Sequence, residues 1–363
     1  VDGSEDGWTV NLSTKAFAQI VDPAFYGSPH VDYIDGFFIL SQPNSRNFYI
    51  SLFNSTSFDG LDIVSKTGGP DNVQAVWVMQ REVWVIGTLT TEIWYNAGDA
   101  NFPLAAVPGA FLDHGTCAVY SISKFGDKLF WLHQDKTGYG TVAISEGYGA
   151  KKCSSYGIDD KIQKYLVVSD AVGFCYQLGG HAFYQLTFPN ADVTWVYDQA
   201  TDQWHRRATI DGNGVLHRHR AYTGTFAYGK NLVGDFQNGK IYEQSRTTYL
   251  DDDMPIIRLR SLPHFIKNGG MVDYIFLALN IETGTLPSPT GQDPLITLRW
   301  SDDGGKSWGN GVQQTLGNAG ETRQQVIWNN LGQARDRVFE LSWEINASCV
   351  FNAVYLNAEP VIE

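Results

Sequence analysis

Short apolar and aromatic stretches alternate with tight polar turns along roughly the first two thirds of the chain. Five of these units begin with a polar turn and continue as a strand, and they start at Asp35, Arg81, Gly126, Gly179 and Tyr228. The starts are 46, 45, 53 and 49 residues apart. A second strand-like stretch follows each one: NFYISLF, TEIWYNAG, GTVAIS, VTWVYD and GKIYEQS. A period of roughly 40–50 residues with room for four strands is typical of a β-propeller blade.

The pattern therefore predicts an all-β fold that contains a β-propeller of five to six four-stranded blades. A single four-stranded sheet cannot bury both of its faces, whereas sheets stacked around an axis bury them and leave only short edges. The alternative is a series of β-sandwiches whose regular spacing is accidental. Five units in near register favour the propeller.

The strand pattern changes after YLDDDMP (Tyr249–Pro255), which is typical of a boundary loop. We expect a propeller over residues 1–254 and a C-terminal β-sandwich-like region over 255–363. In RVFELSWEI, alternate residues share one face, as in a half-buried antiparallel strand; these are Phe339, Leu341, Trp343 and Ile345. Six or seven strands fit this region. Alternatively, part of it completes the propeller with the N-terminal strand near Gly7–Leu12.

Composition and charge narrow the class of protein. The 363 residues have a formal net charge of −13, which argues against a general nucleic-acid binder because such proteins present a basic face. No run of 18 apolar residues is present, so we expect no membrane span. The first ten residues lack the plan of a signal peptide, and without an initiator Met we expect a processed chain or a fragment.

The four cysteines are far apart in the sequence and show no CxxC spacing, which argues against a zinc site; they are Cys117, Cys153, Cys175 and Cys349. We interpret them as mostly buried thiols of a protein made in a reducing compartment. A Cys153–Cys175 disulfide across two strands is the less favoured alternative.

One segment, RWSDDGGKSW, matches the Asp-box pattern S-x-D-x-G-x-[ST]-W. The matching residues are Ser301, Asp303, Gly305, Ser307 and Trp308. The aspartate can accept backbone N–H bonds in a tight turn, the glycine can adopt positive φ, and the tryptophan can pack onto the hairpin. Asp boxes resemble those of sialidases, where they lie away from the active site. We therefore predict one structural hairpin in the C-terminal region.

A basic segment, His205–Arg220, is the other candidate site. It contains Arg206, Arg207, Arg218 and Arg220, and its DGNG sequence (Asp211–Gly214) is typical of a hairpin turn. These arginines are candidates for contact with DNA phosphates or with an acidic partner, and a solvated hairpin is an equally good interpretation. His217 and His219 share a strand face, but the sequence indicates no third ligand. We predict no catalytic residue, no cofactor and no metal ligand.

Several blocks resemble the packaged-DNA stabilisation proteins of short-tailed phages, which form the tail hub or nozzle. In the C-terminal region these are SDDGGKSW, GNAGE (Gly317–Glu321), LGQARDRVFEL (Leu331–Leu341) and the run up to AVYLNAEP (Ala353–Pro360). Two earlier blocks, Tyr33–Asp71 and Val83–Gly98, are also similar to that family. The resemblance covers most of the chain.

The resemblance implies a non-enzymatic virion protein of the phage tail, assembled in the bacterial host cytoplasm. It implies a homo-oligomer, a hexameric ring below the portal and adaptor proteins that also holds the tail needle or tip. Such a ring closes the tail channel, stabilises packaged double-stranded DNA and forms the conduit for genome ejection. Compared with that family the chain is short at its N-terminus, so we expect a first blade or an interface segment to be missing or rearranged.

A sialidase-like or glycan-binding β-propeller is the alternative function. A sialidase requires an arginine cluster for the substrate carboxylate together with a Tyr/Glu nucleophile pair, and no motif in this sequence groups these residues. A glycan-binding protein requires exposed Trp and Tyr side chains on a loop face.

Overall fold

The computed structural model describes residues 6–211, 214–267, 269–284 and 294–361. The chain divides into two compact units, Val1–Gln244 and Ser245–Glu363. Both units consist mainly of antiparallel strands. Among the described residues, no helix has the length and apolar character needed to cross a membrane.

The first unit starts with a two-stranded hairpin and continues as five antiparallel sheets, which we call blades 1 to 5 in chain order. The hairpin contains β1 (Trp8–Val10) and β2 (Phe17–Gln19). Blade 1 contains β3 (Val31–Ile34), β4 (Phe37–Ser41), β5 (Asn47–Ser51) and β6 (Phe58–Ser65). Blade 2 contains β7 (Val73–Met79), β8 (Glu82–Gly87), β9 (Thr91–Asn96) and β10 (Leu104–Leu112).

The next three blades vary in strand number. Blade 3 contains β11 (Gly115–Thr116), β12 (Ser123–Phe125), β13 (Lys128–Gln134), β14 (Tyr139–Glu146) and β15 (Gly149–Lys152). Blade 4 contains β16 (Val172–Leu178), β17 (His181–Phe188), β18 (Val193–Asp198), β19 (Gln203–Ile210) and β20 (Leu216–Arg218). Blade 5 contains β21 (Ala221–Ala227), β22 (Lys230–Asp235) and β23 (Ile241–Glu243). The predicted four-strand plan therefore varies by one strand in either direction.

The sequence repeat coincides with the first complete hairpin of each blade. Both turn residues have positive φ in four blades, as at Asp35 (46°) and Gly36 (97°) of blade 1 and at Gly179 (63°) and Gly180 (87°) of blade 4. Positive φ at both positions defines the type I′ turn, whose twist matches that of the flanking strands. The regular spacing of these turns thus reports the spacing of the blades.

Successive blades bury their faces against one another. Val85 and Trp94 of blade 2 share a core with Ile39 and Phe48 of blade 1. Blades 2 and 3, 3 and 4, and 4 and 5 are joined by equivalent cores. The strand that opens the first complete hairpin, which we call the first strand of its blade, also contacts that of a neighbouring blade: β3 contacts β7, β12 contacts β16 and β16 contacts β21. This serial stacking is the radial arrangement that hides both faces of each sheet.

A seven-residue helix, α1 (Tyr156–Ile162), lies between β15 and β16 and was not predicted. Its buried residues Ile158 and Ile162 join the core of blades 3 and 4. Because only a short segment contributes two apolar contacts, the sequence offers little helical periodicity to detect. A single 3-10 turn, Val119–Ser121, precedes β12.

A buried ion pair lies in the glycine-rich link between blades 1 and 2. The Lys66 ammonium is fully buried and lies 2.8 Å from the Asp71 carboxylate. It also donates to the Thr90 hydroxyl at 2.7 Å, and Asp71 accepts the Leu89 N–H at 2.8 Å. Burial opposes the charge on Asp71, but its hydrogen bonds to Lys66, Thr90 and Leu89 hold its pKa below the usual value. The link is therefore a fixed structural element.

The second unit contains a short hairpin and two packed sheets. The hairpin contains β24 (Leu250–Asp251) and β25 (Met254–Pro255). One sheet contains β26 (Ile257–Ser261), β27 (Phe265–Ile266), β29 (Leu295–Ser301), β30 (Val312–Thr315) and β33 (Asp336–Glu344). The other contains β28 (Val272–Ile281), β31 (Val326–Asn329), β32 (Gln333–Ala334) and β34 (Phe351–Pro360). Residues of both sheets form one core, as expected for a sandwich.

The predicted alternation in β33 is present only in its last residues, 341–344, because residues 337–340 before them are all buried. Its core-facing side chains Phe339, Leu341 and Trp343 are buried, whereas Glu344 is exposed. The opposite face of the strand is less exposed to solvent than predicted, because Glu340 is also buried there. Glu340 forms an ion pair with Arg299. A buried carboxylate requires such a partner.

The YLDDDMP segment forms the β24–β25 hairpin, not the predicted loop. Asp252 (φ 50°) and Asp253 (φ 65°) are its turn residues, and aspartate tolerates this left-handed conformation better than most side chains. The division at Gln244 lies before this hairpin. The boundary at residue 254 stays a prediction.

All four cysteines are free and half-buried, so the Cys153–Cys175 disulfide expected as an alternative is not formed. Burial raises the pKa of both thiols to about 12. Both thiols are consequently protonated at neutral pH and poor nucleophiles.

Candidate functional site

The Asp box forms a closed hydrogen-bonded turn after β29. The Asp303 carboxylate accepts the Lys306 and Ser307 N–H groups, both at 2.9 Å, and the Ser307 hydroxyl at 2.6 Å. The Ser301 hydroxyl donates to Asp303 at 2.7 Å and accepts the Gly305 N–H at 2.8 Å. Bonds from Ser307 and Ser301 hold the pKa of Asp303 well below its usual range. The carboxylate is fully engaged in shaping the turn.

The rest of the box fixes the backbone and the ring. Gly305 has a φ of 88°, which a residue with a side chain adopts at a cost. The Arg299 guanidinium lies 4.9 Å from the centre of the Trp308 ring, and Arg299 pairs with the buried Glu340. These contacts account for each residue type of the motif by local structure alone.

Asp302, the neighbour of the box aspartate, connects this turn to β33. Its two carboxylate oxygens accept bonds from Arg337, at 2.6 Å from Nε and 2.8 Å from Nη2. Arg337 is 3% exposed, and its guanidinium lies 4.7 Å from the Tyr274 ring centre. The SDDGGKSW and LGQARDRVFEL blocks, distant in sequence, therefore meet in one bidentate pair.

The basic segment forms the β19–β20 hairpin at the end of blade 4, with Ile210 opposite Leu216 and Ala208 opposite Arg218. Residues 212 and 213 of the predicted DGNG turn lie outside the described residues. Arg206 and Arg207 are on β19, Arg218 ends β20, and Arg220 follows it. The fold thus brings the four candidate arginines to one hairpin.

Three of these arginines make contacts within the chain. The Arg220 guanidinium lies 3.6 Å from the Asp235 carboxylate, whose side chain is fully buried. Arg218 packs over the Phe236 ring at 3.8 Å, and Arg207 lies 5.5 Å from the Tyr176 ring centre. Pairing and stacking on blade 5 and blade 4 side chains give these arginines a structural role.

Arg206 differs from the other three because its side chain is exposed on β19. Of the four candidate arginines it is the one best placed to meet an external partner. Its cross-strand neighbour is Trp195, in the middle of β18.

The histidines of this hairpin occupy different environments. Burial lowers the pKa of His219 to about 3, and its Nδ1 accepts the Ala221 N–H at 3.2 Å. His217 is partly exposed and bonds Asp192 at 2.6 Å, which raises its pKa. Although they are two residues apart, His217 and His219 serve separate local contacts.

The first strands of the five blades have few charged residues. Among β3, β7, β12, β16 and β21 the sequence contains one carboxylate, Asp32, and no arginine. Asp32 accepts the Val78 N–H at 2.7 Å. An arginine cluster facing paired carboxylates, as a sialidase requires, is therefore not formed by these strands.

A cleft of about 670 Å³ lies between the outer strands of blades 3 and 4. Lys128, Lys152, Glu146 and Asp202 place charges of both signs along it. Trp204, one of its two aromatic residues, has its ring centre 5.3 Å from that of the other, Tyr197, and donates to the Cys153 carbonyl at 2.9 Å. The ring is thus held within the fold and does not form an open stacking platform.

One group of possible metal ligands was not predicted from the sequence. His114, His133 and Asp135 place their ligand atoms within 4.8 Å of one another. The only local signal is the His-x-Asp spacing of His133 and Asp135 at the end of β13. His114 comes from a separate link, so the sequence alone did not indicate the third residue.

Comparison with solved structures gives only distant likenesses. The extracellular domain of BT4673 from B. thetaiotaomicron has a TM-score of 0.39 and 11% identity, with 99% of this chain and 48% of that chain covered. The dihydro-heme d1 dehydrogenase NirN has a TM-score of 0.38 and 13% identity, with 91% of this chain and 64% of that chain covered. The Malassezia sympodialis allergen Mala s 1 has a TM-score of 0.35 and 11% identity, with 66% of this chain and 86% of that chain covered. This chain spans 56% of KlHsv2, with a TM-score of 0.27. Such low scores support no conclusion about function.

Two family models match most of the chain, whereas no curated protein matches it. Residues 2–249 match the bacteriophage P22 Gp10 β-propeller, and residues 260–359 match the bacteriophage P22 Gp10 β-sandwich. The predicted propeller and C-terminal sandwich are confirmed by these matches, as is the predicted family resemblance. The chain belongs to the bacteriophage P22 Gp10 family of packaged-DNA stabilisation proteins, structural proteins of the phage tail.

Proposed function

We propose that this chain is the hub or nozzle subunit of a short-tailed phage, where a hexameric ring closes the tail channel and later conducts the genome. The observation that supports this most is that both parts of the chain, propeller and sandwich, match one family of packaged-DNA stabilisation proteins. The proposed neighbours are the portal and adaptor proteins above the ring and the needle or tip protein below it. Assembly takes place in the host cytoplasm.

The charge of the chain is compatible with a conduit. A protein of net charge −13 releases few counterions from DNA and so binds it weakly. Three of the four candidate arginines are occupied within the fold. We propose that Arg206 contacts a neighbouring tail protein or the passing DNA at one point, while the channel as a whole does not grip the duplex.

The β1–β2 hairpin is the proposed contact between neighbouring subunits. The Trp8 and Phe17 rings stack at 6.3 Å, and Leu12 and Phe17 are 79% and 67% exposed. An isolated two-stranded hairpin is marginally stable in water, and a cluster of exposed apolar side chains marks an interaction site. A second copy of the chain would cover these residues in a ring.

A complementation experiment tests the proposal. Phage particles made without this chain should package DNA and then lose it, and supplying the chain during assembly should restore DNA retention. Retention can be measured as DNase-resistant DNA per capsid. Particles that hold their DNA equally well without the chain would rule the proposal out.

The glycan-binding or sialidase-like alternative has weaker support. The first strands of the blades have no arginine, and Trp204 in the cleft is engaged with Tyr197. A fluorogenic sialoside assay and a glycan array on the purified chain test this alternative directly. Turnover or a specific glycan signal that a Trp204→Ala variant loses would favour it over the tail role.

A further inference from the structure

Three side chains with metal-binding atoms meet beside blade 3. His114 lies in the link between β10 and β11, His133 is on β13, and Asp135 follows that strand. The Nδ1 of His114 lies 2.6 Å from the Nε2 of His133, and Asp135 Oδ2 lies 3.8 Å from that same Nε2. Two imidazoles and one carboxylate form a common ligand set of zinc and related ions.

The other polar side-chain atoms of His133 and Asp135 are already occupied. His133 Nδ1 bonds the Thr141 hydroxyl at 3.0 Å, and Asp135 Oδ1 accepts the Thr137 N–H at 2.7 Å and the Gly138 N–H at 3.0 Å. Thr141 and Thr137 thereby turn His133 Nε2 and Asp135 Oδ2 towards His114. Outer hydrogen bonds of this kind orient metal ligands and fix the histidine tautomer.

A metal ion binds the imidazole and carboxylate side chains that this group supplies, and it must reach them from solvent. The side chains of His133 and Asp135 are 11% and 24% exposed, so the group is shielded yet reachable from solvent.

We infer that His114, His133 and Asp135 form a binding site for one divalent transition ion of the zinc class. With metal–nitrogen bonds of about 2.0–2.1 Å, a tetrahedral ion places two nitrogens about 3.3 Å apart. The His114 ring must therefore withdraw by about 0.7 Å from its hydrogen-bonded position. His114 is half-buried in a link between strands, where such an adjustment is feasible. Water supplies the fourth ligand.

The ion would act as a structural clip. It joins the link that leaves blade 2 to the strand end and loop of blade 3, which are 19 and 21 residues further along the chain. An ion that binds the folded chain and not the unfolded chain stabilises the fold by mass action. The expected consequence is a higher melting temperature, not a catalytic activity.

The test uses the full chain, stripped with EDTA and then titrated with Zn²⁺ or Co²⁺. Zinc per chain is measured after gel filtration, melting temperature by calorimetry, and coordination by the visible absorption of the Co²⁺ form. Wild type should take up one ion, melt at a higher temperature with zinc, and give the strong visible bands of tetrahedral cobalt. His114→Ala and Asp135→Asn should bind at least about tenfold more weakly.

The matched control is His181→Ala, because His181 also bonds a carboxylate, Asp198, at 2.8 Å. This variant should bind zinc as wild type does. Circular dichroism of each metal-free variant shows whether it is folded, and Asp135→Asn preserves the side-chain shape if His114→Ala does not fold. Less than half an ion per wild-type chain, or undiminished binding by both variants, would overturn the site.

Discussion

Several charged side chains in this protein hold strands and turns in place. Asp303 shapes the Asp-box turn, Arg337 joins that turn to β33, and Arg220 offsets the buried carboxylate of Asp235. The roles of short side chains were predictable, because Ser301 and Asp303 bond backbone groups within a few residues. The partners of the long arginine side chains were not, since Asp235, Phe236 and Tyr176 come from distant strands.

Replacement of Arg220 should destabilise the chain, whereas replacement of Arg206 should not. Arg220→Ala leaves the buried Asp235 without its cation, at a cost of about 3 kcal/mol in the free energy of unfolding. Arg206→Ala removes an exposed side chain and should change that free energy by less than about 0.5 kcal/mol. Denaturant unfolding of both variants measures the difference, and equal losses would contradict these assignments.

His219 should contribute to acid sensitivity. Its pKa is about 3 in the folded chain and near 6.5 when unfolded, so between these values only the unfolded chain binds the proton. Stability is therefore fully present above about pH 6.5 and falls as the pH drops, by up to about 1.4 kcal/mol per pH unit for one proton.

The variant His219→Asn retains an acceptor for the Ala221 N–H and lacks the titrating ring. Its free energy of unfolding should depend less steeply on pH between 6.5 and 4 than that of wild type. The half-exposed His181, changed to Asn, is the control. An unchanged slope for His219→Asn would show that this histidine does not couple folding to protons.

At the scale of elements, the hairpins of the blades were predictable from the sequence, whereas the number of strands in each blade was not. Type I′ turns require residues that tolerate positive φ, so pairs such as Asp35–Gly36 and Gly179–Gly180 are a local signal in the sequence. No such local signal indicates the helix α1, the fifth strands of blades 3 and 4 or the three strands of blade 5. These features depend on packing between segments that are distant in sequence.

The link between blades 1 and 2 should depend on its buried ion pair. Asp71→Asn removes the carboxylate that pairs with the fully buried Lys66 ammonium and should lower the free energy of unfolding by about 3–5 kcal/mol. Asp62→Asn, in the preceding strand β6 and without a cation partner among the described residues, should have a small effect. Thermal unfolding measures the loss of stability in both variants. An equally small loss for Asp71→Asn would mean that the ion pair does not stabilise the fold.

At the scale of the whole molecule, the propeller and sandwich belong to one family, and the exposed apolar hairpin is the surface proposed for assembly. The double variant Trp8→Ser/Phe17→Ser should fold and melt nearly as wild type does, because Trp8 and Phe17 are 40% and 67% exposed and neither belongs to a core of the blades. It should nevertheless fail to enter tails. Leu61→Ser, which removes an exposed apolar side chain from β6, is the control. Normal incorporation of the double variant would exclude this hairpin as a subunit contact.

Cryo-electron microscopy of virions tests the central proposal most directly. We expect six copies of this chain in a ring of the tail, below the portal, with the channel closed while DNA is packaged. Density for the propeller and sandwich should fit this ring. A tail without this chain, or a chain found only elsewhere in the particle, would contradict the proposed role.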